Sequence, residues 1–152
     1  MVWGGYFAKL KYAYYRRRFH HLGIKLGFSI GFDTLGYAPW IPHYGTIVIG
    51  ENNKIGIYAC LHTSICITAT SKIIGDAFFC ATGSKLTKVE TLGNNVQVGA
   101  NSLVNKSFSE DGIIIAGAPA VYRKNCTPWY IGSRYEDRVK KIEELRKKMF
   151  KD

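Results

Sequence analysis

Two histidines, His43 and His62, stand nineteen residues apart in IPHYGTIVIGENNKIGIYACLHTSICI, a stretch that is otherwise mostly apolar and punctuated by glycine. An imidazole, with an unperturbed pKa of about 6.5, accepts a proton readily at neutral pH, so either ring is a candidate general base. His20 and His21 sit inside a basic cluster and read instead as solvated or membrane-facing side chains. The four cysteines, Cys60, Cys66, Cys80 and Cys126, form no CxxC pair and have no histidine at zinc-finger spacing. They read as free thiols of a reducing cytoplasm, and no metal site is expected.

Charge bounds the partners. Lysine and arginine exceed aspartate and glutamate by 21 − 11 = +10, and the excess gathers at the two ends, in KLKYAYYRRRFHH and RVKKIEELRKK. Such a balance suits a polyanion: nucleic acid, an anionic membrane surface or a phosphate-rich cofactor. Nucleic acid ranks last, because no RNA-binding signature or recognition motif accompanies the charge. No apolar run approaches the roughly 20 residues that cross a bilayer. The N-terminus places its aromatics before its cations, the reverse of a signal peptide. A cytoplasmic protein is expected, soluble or peripheral at the inner face of the membrane, with the aromatic and basic residues 6–22 either resting on the anionic leaflet or forming a solvated helix packed on an oligomer.

The elements that must position the histidines follow from a period of six. Ile49, Ile55, Leu61 and Ile67 are six apart; after one extra residue the series resumes at Ile74 and runs through Cys80, Leu86, Leu92, Val98 and Val104. All ten are apolar, and the next residue is often small, as at Gly50, Gly56, Gly75, Ala81, Gly93 and Gly99. A helix would repeat at 3.6 and a half-buried strand at 2.0; a β-sandwich would need alternation over longer strands. One inward aliphatic per six residues describes a chain that turns a corner once per hexad, a β-helix. Three hexads close a triangular coil of 18 residues, stacking at about 4.8 Å per layer. At the ends, residues 6 to 22 are compatible with a helix whose stripe of Phe7, Leu10 and Tyr14 is interrupted by Arg17 and Arg18. Residues 133 to 150 form a clearer one, capped by Ser133, with Tyr135, Val139, Ile142, Leu145 and Met149 on one face. That face must cover the open end of the prism or a neighbouring subunit.

Three segments, HYGTIVIGENNKIG, LGNNVQVGANSLVNKSF and GIIIAGAPAVYRK, resemble in this order the left-handed hexapeptide-repeat acyltransferases, in particular the serine-acetyltransferase-like branch with its small sugar O-acetyltransferases. The last segment is similar to that family's closing AGVPA signature. The resemblance implies a mostly β fold: a left-handed parallel β-helix over residues 37–124, after a basic, aromatic helical segment at 1–36 and before a C-terminal tail and helix at 125–152. It implies a homotrimer with acetyl-coenzyme A in the groove between subunits. A histidine would take the proton of an acceptor hydroxyl, which attacks the acetyl thioester without metal or covalent intermediate. His43 occupies the place of the family's active-site histidine. His62 replaces the small residue at a prism corner one coil on, where sugar-acetylating relatives often have histidine.

Three departures bear on the acceptor. Pro42 stands where serine acetyltransferases have the aspartate beside the histidine, leaving Asp33, Glu51 or Asp76 as possible substitutes. The serine-holding loop is reduced to TATSK, and the preceding helical domain to about 36 residues. A hydroxyl of a capsule, exopolysaccharide or lipopolysaccharide precursor, free or lipid-linked, is therefore expected ahead of serine. For the cofactor, the resemblance points to Ala81, Gly99, Ala100, Gly117 and Ala118 along the pantetheine arm and to Lys106, Arg123 and Lys124 as cations for the phosphates. The family's lysine after its closing signature is Val121 here. The alternatives are serine O-acetylation and a non-catalytic trimeric β-helix scaffold.

Overall fold

The structure, a computed structural model, describes residues 5–150. A long helix, α1 (Tyr6–Leu26), leads into a parallel β-solenoid of about five coils, and a second helix, α2 (Glu136–Phe150), ends the chain. The solenoid has three sides. The first consists of β1 (Phe28–Ile30), β2 (Ile47–Ile49), β5 (Ile65–Ile67), β8 (Lys85–Leu86) and β11 (Leu103–Val104). The second has β3 (Lys54–Ile55), β6 (Ile73–Ile74) and β9 (Thr91–Leu92). The third has β4 (Cys60–Leu61), β7 (Phe79–Cys80), β10 (Gln97–Val98) and β12 (Ile113–Gly117), closed by the antiparallel β13 (Ala120–Asn125). The coil thus begins at Phe28, ahead of the boundary expected at residue 37, because β1 pairs in parallel with β2.

The hexad arithmetic describes this core directly. All ten repeat residues are buried, none more than 3 % exposed, and each of the nine aliphatic ones contributes about 1.5–3 kcal/mol by leaving water. Ile49 pairs with Ile67, Cys80 with Val98 and Leu86 with Val104, each 18 apart. The pairs that span the extra residue are 19 apart: Ile55 with Ile74, Leu61 with Cys80, Ile67 with Leu86. Corners turn through left-handed residues that recur in register, Tyr58, Ala77 and Asn95 at one and Ser64, Gly83 and Asn101 at another. Gly56 and Gly75 serve close approach: a Cβ on either would lie 2.7 Å from the backbone nitrogen of Asp76 or Asn94 in the next coil.

The extra residue has an occupant that periodicity did not reveal. In the corner between first and second sides Lys72 is fully buried. Its ammonium donates to the Thr68 carbonyl at 2.8 Å, to Thr68 Oγ1 at 3.0 Å and to Thr70 Oγ1. Asn53, also fully buried, accepts the Lys72 amide at 3.0 Å and donates to Gly50 and Thr68 carbonyls. Three acceptors match three N–H donors, and burial lowers the ammonium's proton affinity. Because Asn53 still satisfies the Thr68 carbonyl without it, the aliphatic stem should matter more than the charge. Lys72→Ala should cost about 2–4 kcal/mol in urea unfolding, whereas Lys72→Met should stay within about 1 kcal/mol of the parent; equal losses would show that the ammonium dominates.

The C-terminal segment descends the third side. The Asn95 and Gln97 amides hold the carbonyls of Cys126 and Thr127 at 3.0 and 2.8 Å, and Trp129 Nε1 donates to the Tyr58 carbonyl at 2.9 Å. Helix α2 starts at Glu136, three residues later than the spacing suggests: Ser133 accepts the Tyr135 amide at 3.2 Å and Glu136 accepts that of Gly132 at 2.8 Å, which closes the turn leading into the helix. Val139 and Ile142 then face Ala38, Trp40 and Tyr58, around a residual cavity of about 40 Å³. The apolar face of α2 therefore covers the flank of the first coils, through Tyr135, Val139 and Ile142, while Leu145 and Met149 stay exposed.

One carboxylate pins this contact. Glu143 Oε1 accepts from the hydroxyls of Tyr58 and Tyr37, and Arg146 donates to the Tyr37 hydroxyl at 2.9 Å. The Tyr58 hydroxyl is the main reason that the Glu143 carboxyl lies below its ordinary value. A carboxyl lowered on folding adds stability above its unfolded pKa of about 4.3 and loses it as pH falls through the folded value. The drop in melting temperature on acidification through that range should accordingly be smaller in Glu143→Gln than in the parent chain; parallel curves would remove Glu143 as the acid-sensitive tie.

Candidate functional site

The corner between third and first sides carries both histidines. Leu61 to Ser64 turn it in one coil, between β4 and β5. Ile41 to Thr46 turn it in the coil before, between the bridge residue Trp40, which pairs with Cys60, and β2. Trp40 and Cys60 are 20 apart, whereas Ile47 and Ile65 are 18 apart, so the earlier corner holds two additional residues. They make an outward loop on which His43 and Tyr44 are exposed. Its far side is seated by Gly45, which donates to the Leu26 carbonyl at 2.9 Å and whose Cβ, if present, would touch the Thr63 methyl at 3.2 Å.

His62 is half-buried below this loop. Its amide joins the ladder to the Cys80 carbonyl at 3.0 Å, and its ring packs on Phe79 with centroids 5.1 Å apart. Phe79 is backed by Trp129 of the descending tail, centroids 6.5 Å apart. Burial, and then the charge of His43, hold the His62 imidazole below its ordinary proton affinity. The two rings are thus close enough to sense each other. On the other side of His62, Thr82 Oγ1 donates to the Thr63 carbonyl at 2.9 Å and lies 3.4 Å from Thr63 Oγ1, a short ladder of hydroxyls.

From His62 the register builds a column. Leu61, Cys80, Val98 and Ile115 pair in succession, so the residues that follow them, His62, Ala81, Gly99 and Ala116, stack at the corner. Three inter-strand steps span roughly 14 Å. A Cβ on Gly99 would lie 2.8 Å from that of Ala116, so the column admits only small side chains there. Ala100 and Gly117 follow Gly99 and Ala116 at the same corner, and Ala118 is exposed in the turn to β13.

Arg123 closes the upper end. Ile114 pairs with Lys124 but Ile115 with Tyr122, which leaves Arg123 as the unpaired residue of a bulge. Its Nε donates to the Ala116 carbonyl at 3.3 Å, and its Nη2 would lie 3.2 Å from a Cβ on Gly117. Lys124 is exposed beside it on the strand. Lys106 is not brought to this corner: it lies at the one between first and second sides, its ammonium 5.1 Å from the Phe108 ring centroid.

None of Asp33, Glu51 and Asp76 lies on the histidine corner. Asp76 Oδ1 accepts the Ile57 amide at 2.9 Å at the corner between second and third sides. Asp33 and Glu51 follow β1 and β2 at the corner leading to the second side, where the Asp33 carbonyl takes Lys54 Nζ at 2.8 Å. Cys60 and Cys80 are buried, the Cys60 thiol pushed up to about 12 by desolvation, so these sulfurs are packing groups. No group of three or more His, Cys, Asp or Glu converges as a metal site among the described residues.

Sequence reasoning reached both histidines, the small residues and Arg123. It missed Phe79, whose only signal is an aromatic preceding a repeat position, and Ala116, which lies beyond the last regular hexad. No family model and no curated protein sequence matches the chain. In an NMR titration the His62 ring should titrate below about 6.5, and His43→Gln should move it upward by removing a neighbouring cation. An unchanged His62 titration in that variant would mean that the rings act separately.

Proposed function

We propose that the protein is an acetyl-coenzyme A-dependent O-acetyltransferase acting on a sugar hydroxyl, as a homotrimer of left-handed β-helices. The observation that carries this reading is the corner itself: an exposed histidine loop over a half-buried, electrostatically coupled histidine, at the foot of a column of small residues that ends at an arginine. The residues present fit acetyl-coenzyme A. Ala81, Gly99 and Ala116, flanked by Ala100 and Gly117, leave room for an extended pantetheine arm, and Arg123 with Lys124 offers cations to the phosphates. Bound there, the thioester supplies an already activated acetyl group.

The chain's own residues then have a limited task. A hydroxyl is a poor nucleophile until a base takes its proton in the transition state. His43 is the candidate base; its exposure on the extended loop leaves it accessible to a bulky acceptor. His62, with its lowered proton affinity, stays neutral near pH 7, so an imidazolium forming on His43 faces no second cation. Backbone N–H groups of the corner are the available donors for the developing oxyanion.

A second reading, a trimeric scaffold without catalysis, draws on the placement of Asp33, Glu51 and Asp76 at other corners than the histidines. Coenzyme A at a hundredfold excess over its Kd should stabilise the parent chain by about 2.7 kcal/mol, seen as a raised melting temperature. In an acetyl-transfer assay over a panel of sugars, His43→Ala should lose about 100- to 10,000-fold in kcat while keeping that thermal shift. No shift at saturating coenzyme A would favour the scaffold, and full activity in His43→Ala with none in His62→Ala would transfer the base to His62.

A further inference from the structure

Helix α1 is the largest feature that the site does not use. It runs for 21 residues and touches the prism along one line. Tyr12 and Phe19 meet the Phe32 ring edge-on with centroids 5.8 and 5.5 Å apart, and the Arg16 guanidinium lies 5.8 Å from the same centroid. One turn on, Gly23 lies so close that a Cβ would approach the Phe28 carbonyl to 2.8 Å. Residues two positions before these lie about 200° around the helix. Leu10, Tyr14 and His21 therefore point away from the prism, with Arg17, Arg18, Lys11 and Lys25 alongside.

The outer surface combines two properties that rarely coexist on a solvated helix. Leu10 and Tyr14, facing outward, are 49 and 58 % exposed, and Tyr15, Leu22 and Ile24 on the flanks are 47–66 % exposed. The helix also holds six cations, Lys9, Lys11, Arg16, Arg17, Arg18 and Lys25, and not one carboxylate. Aqueous solvent disfavours the first property, and a like-charged neighbouring helix, as in a second copy, disfavours the second. An anionic bilayer surface favours both, since the rings and aliphatics enter the headgroup boundary while the long cationic stems reach lipid phosphates. No helix among the described residues is long and apolar enough to cross a membrane.

We propose that α1 is an interfacial anchor that lays Leu10, Tyr14 and the flanking Arg17 and Arg18 on an anionic lipid bilayer. The geometry links this surface to the candidate site. Gly27, the left-handed cap of α1, and Leu26 accept the amides of Ile47 and Gly45 at 3.1 and 2.9 Å, so the helix end is bonded directly to the loop that carries His43. If the proposed acetyl transfer holds, the anchor brings that loop beside the headgroups and favours an acceptor carried on a lipid. The anchoring itself does not depend on that activity.

The test is flotation of the full chain with phosphatidylcholine vesicles, with and without 30 mol % phosphatidylglycerol, at low and high salt. The parent should float with the anionic vesicles only, at least tenfold less at high salt, and its α1 amides should gain protection from hydrogen exchange when vesicles are added. Arg17→Glu/Arg18→Glu and, separately, Leu10→Ser/Tyr14→Ser should each reduce flotation at least tenfold with the circular dichroism spectrum unchanged. Three results would overturn the proposal: equal flotation with neutral vesicles, flotation insensitive to Leu10→Ser/Tyr14→Ser, which marks plain polyelectrolyte binding, or a charge-reversed variant that changes oligomeric mass while floating as the parent does. Because flotation needs no substrate, its failure is separate from failure of the acetyl-transfer assay.

Discussion

The structure rests on coil-to-coil register. Most sides of the prism are two or three residues of strand with one or two inward apolar side chains, too short to be stable alone. Their hydrogen bonds and apolar contacts exist only because the same residue type returns 18 or 19 positions later. Ile49 over Ile67 over Leu86 over Val104 is one such column, and the other two sides repeat it. Local sequence supplies a side and a corner; stability comes from stacking, as in other solenoids.

Titratable side chains are displaced from the pattern where that regularity is interrupted. Two residues added to a corner push His43 outward over His62. One residue added at Thr68–Lys72 is absorbed by sinking a lysine among threonine acceptors. A bulge in β13 turns Arg123 back over Ala116 and Gly117. A strictly periodic prism would present the same small corners in every layer and no distinct place for a ligand. The insertions break the equivalence of the layers while the core columns continue unbroken beneath them.

The two ends of the chain use the prism differently. The tail from Cys126 onward returns along the third side, bonding to Asn95, Gln97 and Tyr58, and it backs Phe79 beside His62 with Trp129. It thereby couples α2 and the Glu143 tie to the wall of the candidate site. Helix α1 contributes little to the core and touches it chiefly through Phe32 and Gly23, yet its end is bonded to the His43 loop. One end of the chain buttresses the histidine corner, and the other places it.

The sequence by itself determined the architecture, because a period of six can be met only by a chain that turns every six residues, and one aliphatic per turn specifies which atom enters the core. The corner positions of His62, Ala81 and Gly99 were legible for the same reason, as places within the hexad pattern, whereas any role for them and for His43 came only from the family resemblance. Tertiary structure alone decided what depends on distance through space. Phe79 lies against His62 because parallel strands stack at an offset of 18 or 19, and nothing around residue 79 marks it. Lys72 is buried because Asn53, nineteen residues earlier, and Thr68 and Thr70 enclose it, although its charge argues locally for solvent. The acids named from sequence as possible partners of the base went to other corners, since position along a coil, not separation along the chain, sets which side a residue occupies. The face of α2 was evident from its spacing. What it covers became defined only once the tail had descended three coils to set it against Trp40 and Tyr58.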